Sequence, residues 1–108
     1  MKIILENNEL LLKDCQNFKD KLLGFMFKRN INYALRFKCK SIHTFFMKEN
    51  IDIIITDKNN KVLYVYNNFK KNRILIKKNA YYFYELPNNT NTYIPNTTIK
   101  IKLKNLNN

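Results

Sequence analysis

One histidine, His43, sits nine positions ahead of Asp52, an acid that interrupts the apolar run Ile51-Asp52-Ile53-Ile54-Ile55. A second lone acid, Glu85, interrupts the aromatic stretch from Ala80 to Leu86. A carboxylate inside an apolar strand costs several kcal/mol to bury unless it is paired or hydrogen-bonded. Two readings of these acids stay open. In one, each is structural, accepting turn N–H groups or meeting a basic side chain such as Arg29, Arg36 or Arg73. Alternatively, Asp52 and Glu85 project into one cleft as a carboxylate pair of the kind hydrolytic acid–base chemistry uses. His43 could serve acid–base or metal chemistry. A metal site would need at least two further ligands, and the nearby acids are Glu49, Asp52 and Asp57. A nucleophilic site would need Ser41, Thr44 or a cysteine beside His43, with an orienting carboxylate. No local motif supplies either, so the sequence points to no metal and no cofactor and leans away from an enzyme. Phe45, Phe46 and Met47 suit an apolar ligand slot or, as is commoner on a strand, the core. The candidate ligand or partner surface is therefore His43, Thr44, Met47, Asp52 and Glu85.

Charge offers a second kind of chemistry. The chain has 108 residues, 20 Lys+Arg against 8 Asp+Glu, and a net charge of +12. The imbalance lies in the C-terminal half, where Glu85 is the only acid after Asp57. Lys70, Lys71, Arg73, Lys77 and Lys78 cluster there between Phe69 and the tyrosines 81, 82 and 84, and Lys100, Lys102 and Lys104 alternate with Ile99, Ile101 and Leu103. Cations interleaved with aromatics can hold phosphates and stack bases, so nucleic acid or another polyanion is the alternative partner. A plainer origin is codon bias. Lys, Asn and Ile number 17, 19 and 13, all residues with A/T-rich codons. Lysine also outnumbers arginine 17 to 3, which disfavours bidentate phosphate recognition.

The elements that must position these residues read as short strands between polar turns, with one helix near the start. Asp14 is the expected helix cap, Cys15, Phe18, Leu22 and Phe25 its apolar face, and Gly24, the only glycine, its C-terminal stop. Residues 51–57 and 61–66 are expected to form a hairpin with Ile51, Ile53 and Ile55 on one face. Residues 80–86 and 99–104 read as further strands, the last with its lysine row in water, a guard against edge pairing. With a single glycine, turns that need positive φ fall to asparagine, and Asn59-Asn60, Asn67-Asn68, Asn88-Asn89 and Asn96 lie in them. The N-x-T matches at Asn88 and Asn96 then carry no glycosylation meaning. Cys15 and Cys39 lack CxxC or Cys/His spacing and are expected to stay reduced. The chain length fits one domain, residues 1–108, with 45% hydrophobic residues to build a core. No stretch reaches the ~20 apolar residues of a membrane span. The apolar run at the start, Ile3-Ile4-Leu5, ends at Glu6, too short for a signal-peptide core, so a cytoplasmic protein is expected.

Three blocks resemble the prokaryotic family known as domain of unknown function 192. They are Lys21-Leu22-Leu23-Gly24-Phe25-Met26-Phe27-Lys28-Arg29, then Ile42-His43-Thr44-Phe45-Phe46-Met47 with Ile51-Asp52-Ile53-Ile54-Ile55-Thr56-Asp57, then Tyr84-Glu85-Leu86-Pro87-Asn88-Asn89-Thr90. They stand in the family's order, and the resemblance spans about residues 9–104. Asn89 stands where the family has Gly, Asn50 where it has Pro, and Pro95-Asn96-Thr97 where it has a Gly-Asp turn. Many relatives carry Trp at the position of His43, which implies packing or stacking there. The resemblance implies a compact, mostly antiparallel β-fold with a short helix, and no established activity. Taken together, the sequence predicts a mostly β protein, a compact antiparallel β-sandwich or barrel-like sheet with one short N-terminal helix. Its expected role is a small non-catalytic binding or accessory domain of unknown ligand. A small hydrolase-like site on Asp52 and Glu85 is the weakest alternative.

Overall fold

A seven-stranded sheet closed by the C-terminal segment dominates the architecture. The computed structural model describes residues 1–103; Lys104, placed in the polyanion set, lies outside them. In chain order the elements are β1 (Lys2–Ile4), β2 (Glu9–Cys15), α1 (Phe18–Leu23), β3 (Tyr33–Lys38), β4 (Ser41–His43), β5 (Ile51–Thr56), β6 (Val62–Phe69), β7 (Ile74–Ile76), β8 (Tyr82–Pro87) and β9 (Ile101–Lys102). The large sheet runs β6-β5-β8-β3-β2-β1-β9, and β4 and β7 form a small second sheet. All pairs are antiparallel except β2 with β3, which are joined by the crossover through α1. The expected fold is thus present.

Residues 96–102 close the sheet. On one side Val62 N donates to Thr97 O at 2.7 Å and Ile99 N to Asn60 O at 2.9 Å. On the other, Ile4 N donates to Lys100 O at 2.9 Å and β9 pairs with β1. One segment therefore satisfies the open edges of β6 and β1, which would otherwise invite pairing with another chain. Inside lie Ile3, Leu12, Ala34, Ile54, Tyr84 and Leu86, all buried. On the outer face a second core, with Phe25, Leu35, Phe37, Ile53, Ile55 and Phe83, is packed beneath residues 24–31 and the β4–β7 pair. The period-2 alternation of β5 divides between these cores: Ile51, Ile53 and Ile55 face out, Asp52, Ile54 and Thr56 face in. All six are buried.

The predicted hairpin of β5 and β6 is present, and β8 falls on the aromatic stretch. The helix differs from expectation. Its cap is Asn17, whose side chain accepts from the Asp20 amide at 2.8 Å. Asp14 instead lies on β2 and binds the Arg36 guanidinium at 3.0 Å, and Cys15 is a strand residue. Spacing that looked helical therefore joined the end of a strand to a helix of six residues. Gly24 does end it, at φ 47 and ψ −127. Among the described residues, six of the eight non-glycine residues at positive φ are asparagines, including the expected Asn60, Asn68, Asn89 and Asn96. The strand at 99–104 is shorter than predicted, and Leu103, expected on its apolar face, is 70% exposed.

Candidate functional site

Glu85 sits at the centre of β8, and its position follows from the pleat. Its cross-strand neighbours are Leu35 on β3 and Ile53 on β5, so its carboxyl is flanked by aliphatic groups on the outer face. It is 2% exposed, and Oε1 has no hydrogen-bond partner. Burial pushes its pKa up to about 8, against the smaller opposing pull of the Phe25 backbone amide. At neutral pH the group is a carboxylic acid, which can both donate and accept. The glycine at position 24 lets the chain pass close over it: a Cβ there would lie 3.1 Å from Oε1.

A cleft of about 460 Å3 opens beside this carboxyl, bounded by the end of α1, β4, β7 and the turn after β4. Its walls are Lys21, Leu22, Gly24, Cys39, Ser41, Ile42, His43, Phe45, Ile74 and Glu85. His43 is fixed within it: Nδ1 accepts from the Phe45 amide at 3.2 Å, and the ring stacks on Phe45 with centroids 5.3 Å apart. In the neutral ring this leaves Nε2 as the N–H donor. The Cys39 thiol is pushed up to about 11 by burial and is no thiolate nucleophile at neutral pH. The cleft thus combines a buried acid, an imidazole and an apolar wall, a set suited to binding a small molecule with polar and apolar parts. Among the described residues, no group of three or more His, Cys, Asp or Glu is placed to hold a metal ion.

The other candidate residues have different surroundings. Asp52 points to the barrel interior, the face opposite Glu85, so the two acids form no pair in a shared cleft. Its Oδ1 accepts from Asn68 N at 2.8 Å, and its Oδ2 from Thr90 N and Asn91 N at 3.0 and 2.9 Å. It ties the irregular end of β6 to the turn after β8, a structural role of the first kind its sequence allowed. Thr44 is buried; its hydroxyl accepts from Arg73 N and donates to Lys70 O, both at 2.9 Å. Met47 is buried and bridges to Met26, whereas Phe45 and Phe46 are exposed, not core.

The basic set separates. Lys70, Lys71 and Arg73 share the loop before β7. Lys77 lies over the rings of Tyr64 and Tyr66 at 4.5 and 5.9 Å, and Lys78 is exposed on the turn before Ala80. Lys100 and Lys102 belong to the closing segment beside β1, where Lys102 pairs with Lys2, itself 2.9 Å from Glu9. Sequence reasoning missed Gly24, Cys39 and Ile74 as cleft residues. Only the lone glycine next to an apolar block carried a signal.

No family model matches the chain, and no curated protein matches it. Two solved structures do. One is a protein named a "putative transcription regulator" from Sinorhizobium meliloti 1021, with TM-score 0.78, 12% identity, and coverage of 92% of this chain and 89% of that one. The other is a protein of unknown function from Novosphingobium aromaticivorans DSM 12444, with TM-score 0.76, 10% identity, and coverage of 93% and 82%. The likeness is one of fold. At such identity it assigns no activity to the cleft.

Proposed function

We propose that this chain is a small non-catalytic binding domain of the family-192 type, which takes a small-molecule ligand in the cleft between His43 and Glu85. The observation that carries this reading is the buried Glu85 carboxyl, with Oε1 unpartnered at the wall of an open cleft. A buried polar atom left without a partner costs about 1–3 kcal/mol, and a ligand group bonded to it would recover that. Imidazole Nε2 and the Ser41 side chain offer further polar contacts, and Leu22, Phe45 and Ile74 an apolar wall. The raised thiol of Cys39 and the placement of Asp52 on the opposite face both favour binding over hydrolysis. The two free cysteines, Cys15 and Cys39, suit a reducing compartment. Family membership rests on the three sequence blocks, and Gly24, His43 and Glu85, one from each, line the same cleft.

An NMR screen of a fragment library against the labelled full chain tests this. Hits are expected to shift the amides of Gly24, His43 and Glu85 together, and to weaken in Glu85→Gln. Hits scattered over the surface, or none at this cleft, would overturn the reading.

A further inference from the structure

Apolar side chains stand exposed beside the cleft, each with a cation within two positions along the chain. Phe27 and Phe46 are 61% and 63% exposed, stack on one another with centroids 5.7 Å apart, and are tied by Phe27 N donating to Phe46 O at 3.0 Å. Both lie in the left-handed region, at φ 64 and 61, which bulky residues avoid. The chain therefore accepts backbone strain to hold two phenyl rings in water. Ile74 and Ile76 on β7 are 59% and 60% exposed. Lys28 and Arg29 follow Phe27, Lys48 follows the Phe46 turn, Arg73 precedes Ile74, and Lys77 and Lys78 follow Ile76. The basic loop is bolted to the aromatic turn: Asn72 N donates to Thr44 O at 2.9 Å, and Phe46 N to Asn72 Oδ1 at 3.4 Å. Glu49 is the one acid in these segments.

We propose that this apolar and basic surface docks on an anionic lipid bilayer. The Phe27 and Phe46 rings enter the headgroup–acyl boundary while the surrounding Lys and Arg meet anionic headgroups. Charge complementarity argues for this occupant, because cations flank the protruding rings and isoleucines. The cations are mostly lysines, point charges that suit a fluid headgroup layer without fixed geometry. Single-stranded nucleic acid fits less well: Phe27 and Phe46 already use one face each on the other, and Ile74 and Ile76 offer nothing to stack.

Co-flotation of the full chain with vesicles tests the proposal, independently of the cleft. Binding is expected to vesicles of phosphatidylcholine with phosphatidylserine, at least about tenfold tighter than to phosphatidylcholine alone. The double change Phe27→Asn with Phe46→Asn, which suits the left-handed backbone, should weaken it about tenfold or more while leaving the melting temperature unchanged or higher. Should that variant fail to fold, Lys70→Glu with Lys71→Glu, on an exposed loop, should weaken binding about tenfold. No preference for phosphatidylserine would overturn the proposal, as would undiminished binding by a folded Phe-to-Asn variant. Absence of vesicle binding, with salt-sensitive binding of a labelled single-stranded oligonucleotide that the double variant loses, would assign the surface to nucleic acid instead.

Discussion

Glu85 and Asp52 are both acids inside apolar strands, one β8 and one β5, and their environments separate them. Three backbone amides surround the Asp52 carboxylate, whereas the second oxygen of Glu85 has none. Replacing Asp52 by Asn turns one acceptor oxygen into a donor facing N–H groups, so Asp52→Asn is expected to lose about 1–3 kcal/mol in chemical denaturation. Glu85 makes stability depend on pH. Its folded pKa, about 8, is raised above the ordinary 4.5, so the folded state holds the proton that the unfolded chain releases. Its stabilising proton is fully present below pH 4.5 and lost as pH rises through 8. The protein should therefore lose stability across that window, by at most about 1.4 kcal/mol per pH unit. Glu85→Gln keeps the neutral shape and should flatten the profile, read as melting temperature against pH.

Elements decide which of these side chains meet. The pleat of β5 and β8 places Asp52 and Glu85 on opposite faces, while the β4–β7 pair and the end of α1 bring His43 to Glu85. Gly24 is where the helix end crosses the carboxyl. With φ at 47 and an added Cβ at 3.1 Å from Oε1, Gly24→Ala is expected to cost more than about 1 kcal/mol and to narrow the cleft. Thermal melting, with the Gly24 and Glu85 amide shifts, checks both effects. Much of this level was legible in the sequence. The alternating isoleucines, the Asp57–Asn60 turn and the asparagines at positive φ each have a local cause. The helix start was not, because Asp14 and Cys15 answer to pairing with β3, more than a dozen residues away, rather than to the helix beside them. The exposed Phe27 and Phe46 were hidden for the same reason: each left-handed turn is held by the other loop.

At the scale of the whole molecule, closure by residues 96–102 makes the fold depend on contacts between its two ends. Tyr93 shows this: its hydroxyl donates to Ile4 O and accepts from Lys100 N. Tyr93→Phe is expected to cost about 1 kcal/mol, visible as a lower denaturation midpoint with an unchanged slope. No periodicity announces such a contact, so the barrel-like sheet was foreseeable and the way it closes was not. The ligand proposed above would sit on the outer face, where the cleft and its buried acid lie. The most direct test of that account is a 13C NMR titration of the Glu85 side-chain carboxyl, with and without the strongest fragment found in the screen. The predicted result is a midpoint near 8 that moves when the fragment binds. A midpoint at the ordinary 4.5, or one that no fragment moves, would contradict it.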